Sequence, residues 1–408
     1  MSRVNRYGLS PDHALTLLVG GDDLFPALVA AIDAARAEIL LETYIFDFAG
    51  AVLDVAQALE RAAARGVVVR IVVDGVGTGE IPDQWQARWE AAGVQWRVFN
   101  PVRGWRVLFP RHWRRMHRKL CVVDADIAFC GGINLLDDYH DPNHGALEAP
   151  RLDFAVRARG PLVADVHDAM TRLWWRFEAA REARGFDFEG ALEAVQLAAQ
   201  ESAEDAPDPV ESAEAGVTAA LVLRDNVRYR RRIESTYRLA IAQARSEVII
   251  ANAYFVPGVG LQRALLRAAR RGVKVTLLLQ GRYEYFMQYH ASRAVYSALL
   301  AAGIEIIEYE ASFLHAKVAV MDNEAGALAT VGSSNLDPFS LLLAREANVF
   351  VRDDAFAAGL REHLMRALSQ GRRVDSAAHM RRPLHTRGLT WVAYLVMRIG
   401  LLITGKRY

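Results

Sequence analysis

Two octapeptides hold the residues best suited to chemistry, His117-Arg-Lys119-Leu-Cys-Val-Val-Asp124 and His315-Ala-Lys317-Val-Ala-Val-Met-Asp322, and both read His-x-Lys-x4-Asp. An imidazole can attack an electrophile or carry a proton near neutral pH, and a nearby ammonium can hold an oxyanion. Alternate residues of a strand share a face, so each His and Lys project together while the residues between them turn toward the core. With 11 histidines in 408 residues, and four lysines (Lys119, Lys274, Lys317, Lys406) among 49 bases, chance supplies about 0.1 His-x-Lys pairs before any aspartate is required. The chain otherwise writes arginine, so two lysines placed here suggest a need for compact, point-like charge. Small residues and a carboxamide follow each motif, Gly131-Gly132-Ile-Asn134 and Gly332-Ser333-Ser334-Asn335, and each is followed in turn by an acid at the start of a strand, Asp153 and Glu346.

The elements that must position these groups come in duplicate. Ala35-Arg-Ala-Glu-Ile-Leu-Leu-Glu-Thr-Tyr44 echoes Ala244-Arg-Ser-Glu-Val-Ile-Ile-Ala-Asn-Ala253, and Arg65-Gly-Val-Val-Val-Arg-Ile-Val-Val-Asp-Gly75 echoes Arg271-Gly-Val-Lys-Val-Thr-Leu-Leu-Leu-Gln-Gly281. Each half reads as alternating helices and apolar strands, then a cluster of strands and a closing helix, which predicts an α/β fold. Runs such as Val67 to Val73 predict central strands covered on both faces. The expected divisions are a first domain over 1–195, an acidic flexible linker over 196–217, a second domain over 218–370 and a basic, apolar tail over 371–408. The linker reading rests on six carboxylates and no base between 201 and 217, a composition that cannot bury a core.

Composition excludes several classes. A formal charge of +1 argues against a globally basic nucleic-acid binder, and 52% hydrophobic residues argue against disorder. Cys121 and Cys130 form no zinc-like array and are expected to pack as small apolar residues. His112, His140 and His144 lack regular ligand spacing, and His167 reads as a core residue with a partner. Glu42 and Asp74 end strands and read as caps. No run near residue 1 resembles a secretory signal, so the body of the protein is expected in the cytosol.

The doubled motif with trailing Gly/Ser-Asn resembles the phospholipase D superfamily over about residues 12 to 370. Met116-His-Arg-Lys119, Ala251-Asn-Ala-Tyr-Phe-Val-Pro257 and Val331-Gly-Ser-Ser-Asn-Leu-Asp-Pro338 are similar to bacterial cardiolipin synthases, most of all their shorter class. The resemblance implies two pseudo-symmetric phospholipase D-like domains, each a mixed sheet flanked by helices, with the active site at their interface. It also implies transfer through a phosphohistidine: one motif histidine attacks phosphorus and the other serves as acid and base. His117 is taken as nucleophile and His315 as acid/base, and pseudo-symmetry leaves the reverse open. The candidate catalytic set is His117, Lys119, Asp124, His315, Lys317 and Asp322, in which the two aspartates read as structural partners. Lys119, Lys317, Asn134 and Asn335 would hold phosphoryl oxygens, Gly132 and Ser333 would admit the ligand, and Asp153 and Glu346 would each accept a hydrogen bond from a histidine. No metal or cofactor is expected.

Substrate class must come from elsewhere in the chain. Leu389 to Ile403 is apolar with aromatic residues and has arginines before it and Lys406 and Arg407 after, which predicts an interfacial helix, too short to span a bilayer. The first half carries about twelve extra residues before its motif, around Arg103 to Arg115, with Trp105, Phe109 and Trp113 among arginines, a membrane-interface composition. The expected partners are phospholipids (phosphatidylglycerol, with phosphatidylethanolamine as a further candidate) and the cytoplasmic face of the bacterial inner membrane, held peripherally or monotopically. Nucleic acid is not expected. Phospholipid hydrolysis, a nucleic-acid phosphodiesterase and a catalytically silent scaffold stand as alternatives.

Overall fold

The computed structural model describes residues 7–101, 113–184, 216–225, 229–337 and 343–403. Sixteen described strands form one sheet whose two halves repeat the same order. From the centre outward, the first half runs Ser10–Val19, Phe154–Arg159, Ile127–Gly131, Lys119–Val123, Glu38–Thr43, Val68–Asp74, Gln95–Phe99. The second runs Val217–Arg224, Ala344–Arg352, Gly326–Gly332, Lys317–Asn323, Glu247–Asn252, Lys274–Gln280, Glu305–Tyr309, with Gly371–Arg373 at its edge. The halves join where Ser10–Val19 pairs antiparallel with Val217–Arg224. Glu38–Thr43, Val68–Asp74 and Gln95–Phe99 are parallel to one another, as are Glu247–Asn252, Lys274–Gln280 and Glu305–Tyr309, as strands joined by crossover helices must be, while the edge strand Gly371–Arg373 is antiparallel.

Amphipathic spacing fixes which face each helix buries. In the helix Val52–Ala64, the residues Val52, Val55, Ala56, Leu59, Ala62 and Ala63 are buried, the i, i+3, i+4, i+7 pattern of one helical face. Crossover helices cover the outer face of each half and make separate cores. The other face is shared: residues of Leu162–Arg184 and Asp354–Ser369 join strand residues of both halves in one apolar cluster. That continuous core fixes the two motif strands relative to one another. Cys121 and Cys130 are buried free thiols within these cores.

The motif aspartates stand at the far ends of their strands. Asp124 accepts the backbone N–H groups of Arg36, Ala37 and Glu38 at 2.8, 2.8 and 3.0 Å. Asp322 accepts those of Ser246 and Glu247 at 2.7 and 2.8 Å. Each clamps the turn that feeds a neighbouring strand, so both are structural partners away from the site. His167 meets Glu38 at 2.5 Å, and the sequence-expected core role fits that contact.

The tail expected over 371–408 starts within an element of the sheet. Gly371–Arg373 pairs with Glu305–Tyr309 and so belongs to the sheet. The helix Leu384–Ile403 turns Ala393 and Met397 onto Val256 and Ala291, while Leu384, Trp391, Val392, Leu395 and Val396 remain exposed. No helix among the described residues is long and apolar enough to cross a membrane. Residues 196–215 of the proposed linker, 103–112 of the Trp/Arg insertion, and Lys406 and Arg407 lie outside the described residues.

Replacing Asp124 with Ala removes three acceptor contacts and is expected to cost about 1–3 kcal/mol. Urea unfolding would measure this, and activity per folded molecule should stay within about twofold.

Candidate active site

Each motif strand begins two residues after its histidine, so His117 with Lys119 and His315 with Lys317 emerge at corresponding strand ends. The carboxylates that hold the histidines come from the opposite halves. His117 Nδ1 lies 3.1 and 3.2 Å from the two oxygens of Glu346, and His315 Nδ1 lies 2.6 Å from Asp153 Oδ2. Backbone bonds repeat the crossing: the N–H of His117 donates to Arg345 O and that of His315 to Leu152 O, both at 3.0 Å. With each Nδ1 bonded to a carboxylate, Nε2 is the nitrogen left for chemistry.

The small residues after the motifs support these carboxylates in two ways. Ser333 Oγ donates to Glu346 Oε2 at 2.5 Å. At the matching position, a Cβ on Gly132 would fall 2.4 Å from Asp153 Oδ1, so glycine is required for Asp153 to stand there. The peptide N–H of Phe154 donates to Asp153 Oδ1 at 2.8 Å. Lys119 donates to the His117 carbonyl at 2.6 Å and Lys317 donates to that of His315. Lys317 Nζ also lies 3.9 Å from Asp153 Oδ2.

Burial dominates the electrostatics. It holds Lys119 down to about 7 and Lys317 down to about 8, and pushes Asp153 up to about 7. Burial, with Lys119 adding to it, also lowers the pKa of His117; burial with Lys317 and Lys119 lowers that of His315 further. Neutral imidazoles are therefore favoured. A phosphodiester anion would supply the charge that burial removes and draw the ammoniums to their charged form.

His117 and His315 line one cavity of about 770 Å³, together with Asp153, Asn134 and Asn335. The amide oxygens of both asparagines are buried without hydrogen-bond partners. Lys119 and Lys317 sit beneath, at 6% and 0% exposure. The sequence reading missed Tyr44, whose ring lies 4.9 Å from that of His117 and 5.4 Å from Lys119 Nζ. Its place at the end of a central strand was the available signal. Missed as well were Arg151, Tyr254, Glu284 and Gln288 on the cavity walls. Arg118, between the motif residues, is buried against Glu42, and Asp74 accepts the Met116 N–H at 2.8 Å and Arg115 at 3.1 Å. Both acids thus brace the segment that carries His117. Among the described residues, no group of histidines, cysteines and carboxylates could hold a metal ion.

The family model described as "Cardiolipin synthase, PLD-like domain" matches residues 28–147 and 237–368. Cardiolipin synthase B of Escherichia coli (strain K12) is 38% identical over 363 residues, covering 86% of this chain and 79% of that protein. Cardiolipin synthase A of Pseudomonas entomophila (strain L48) is 30% identical, covering 92% and 73%. The crystal structure of phosphatidylserine synthase from Haemophilus influenzae Rd KW20 matches with a TM-score of 0.66 at 12% identity, covering 98% of this chain and 97% of the other. That match speaks to the fold, a mixed α/β layer in two similar halves, as the sequence led us to expect.

Two outcomes are expected. Asp153→Asn and Glu346→Gln should each lower kcat by about 10²–10⁴-fold, the scale seen when a carboxylate no longer fixes a histidine tautomer. The free-enzyme profile of kcat/KM against pH should fall on the alkaline side above about 8, as Lys119 and Lys317, whose values are about 7 and about 8, lose their charge.

Proposed function

Since this chain belongs to the family of phospholipase D-like cardiolipin synthases, we propose that it makes cardiolipin by moving a phosphatidyl group from phosphatidylglycerol, or a related donor, to the hydroxyl of a second phosphatidylglycerol. It is an enzyme of phospholipase D-type phosphatidyl transfer. The observation that carries the reading is the single cavity lined by His117 and His315, each bonded to a carboxylate of the opposite half.

The chemistry follows from which nitrogens are free. Nε2 of His117 attacks phosphorus, the bond from phosphorus to the headgroup glycerol's oxygen breaks, and the departing oxygen takes the Nε2 proton of the His315 imidazolium. The resulting phosphohistidine is then attacked by the acceptor hydroxyl, whose proton passes to His315 as His117 leaves. Lys119, Lys317, Asn134 and Asn335 supply cations and amide donors for the non-bridging oxygens. In the free protein burial keeps both imidazoles neutral; the anionic phosphodiester, with Asp153 2.6 Å from Nδ1 of His315, offsets that burial and supplies the imidazolium that gives the proton.

The C-terminal helix supports a lipid substrate. It packs on Phe286–Ala294, whose Gln288 lines the cavity, and Leu384, Trp391, Val392, Leu395 and Val396 leave it an exposed apolar surface. Arg381, Arg382, Arg387 and Arg398 suit anionic headgroups. Attachment is peripheral in this reading, at the cytoplasmic face of the inner membrane.

Purified protein incubated with phosphatidylglycerol vesicles, with and without phosphatidylethanolamine, should yield cardiolipin and glycerol by mass spectrometry. Phosphatidic acid as the sole product would overturn the transferase reading in favour of hydrolysis. Trp391→Glu combined with Leu395→Glu should weaken vesicle binding by about tenfold or more through lost apolar burial, as read by cosedimentation.

A further inference from the structure

The chemical groups of the two halves match, but the cavity walls around them do not. In the repeat that aligns Tyr44 with Ala253, Ile45 stands where the second half has Tyr254. In the repeat that aligns Gly75 with Gly281, Val76-Gly-Thr78 stands where the second half has Arg282-Tyr-Glu284. At the positions that correspond in the repeats the first half gives Ile45, Val76 and Gly77, beside Trp113, Ile133 and Leu136, while its polar lining, Arg115, Asp138, Asp141, Asn143 and Arg151, comes from other segments. The second-half wall carries Tyr254, Glu284, Tyr285 and Gln288.

Within that polar wall the donors and acceptors are unevenly used. Tyr254 Oη donates to Glu284 Oε2 at 2.7 Å, and Gln280 Nε2 donates to the same oxygen at 3.5 Å. The other end of Gln280 accepts the N–H of Leu314 at 3.2 Å, so Glu284 is tied to the residue preceding His315. Asn335, at 3% exposure, lines the same cavity and has an amide oxygen with no partner. Acceptors thus collect beside the histidine assigned to proton transfer, and they call for a ligand that brings hydroxyl donors.

We infer that Tyr254, Glu284, Gln288 and Asn335 form the subsite for the vicinal diol of the acceptor's glycerol headgroup, placing its attacking hydroxyl beside His315. The inference rests on the transfer reaction proposed above and deepens it by assigning acceptor selectivity to one wall.

The test uses competing acceptors. Phosphatidylglycerol vesicles are incubated with the full chain and ethanol, and cardiolipin and phosphatidylethanol are resolved by mass spectrometry. Both products partition from one intermediate, so their ratio is blind to donor binding and to the amount of folded protein. Glu284→Gln and Tyr254→Phe should each lower the ratio of cardiolipin to phosphatidylethanol at least about tenfold, with Glu284→Asp retaining more of it. A ratio unchanged in both variants, whatever the total rate, overturns the subsite. In a second arm ethanolamine replaces ethanol, and a Glu284→Gln variant that loses ethanolamine transfer more than cardiolipin overturns the diol in favour of a cation. Wild-type protein that makes phosphatidylethanol but no cardiolipin also overturns the subsite while leaving transfer intact. Wild-type protein that makes neither overturns the transfer reaction itself.

Discussion

A carboxylate from one half beneath an imidazole from the other is the contact on which this molecule turns. Glu346 serves His117 and Asp153 serves His315, so neither half contains a complete pair. A buried carboxylate without its partner is costly, which links the chemistry of the site to the docking of the halves. Two short backbone bridges reinforce the crossing, one pairing Arg115 and Met116 with Ala344 and Arg345, the other joining Leu152 to Leu314. Behind them lies the apolar core to which both halves contribute.

Much of this was legible in the sequence because strand periodicity is a local property. His and Lys two residues apart had to share a face, and the matched repeats had to give similar halves. The acids Asp153 and Glu346 were visible as candidate histidine partners, but the direction of the pairing was not, because it depends on how two sheets dock. Arg118 looked like a core-facing residue and is one, yet its burial against Glu42 needed an ion pair that no spacing rule announces. Tyr44 was hidden for a related reason: its strand end was a signal for a place near the site, but the contact of its ring with His117 and Lys119 depends on how separate strands pair. Gly132 and Ser333 looked like interchangeable small residues. The structure separates them, since one makes room for a carboxylate and the other bonds to one.

The site is held in electrostatic tension. Burial pulls the lysines toward neutrality and pushes Asp153 toward protonation, so an anionic phosphodiester relieves the desolvation of its own binding groups. The same selectivity for anions suits a helix whose apolar face is bordered by arginines. In the reading proposed above, surface and cavity favour the same class of molecule for different reasons, one by interfacial burial and the other by charge.

Joining the two halves in one polypeptide has an evolutionary consequence. If this centre were assembled from two identical chains, each substitution would appear on both sides of the phosphorus, and any gain for the incoming alcohol would be imposed on the lipid tail opposite. Covalent duplication lifts that constraint. Ile45 and Tyr254 can diverge independently while the crossed histidines stay mirrored, so a symmetric reaction centre can evolve to tell its two sides apart.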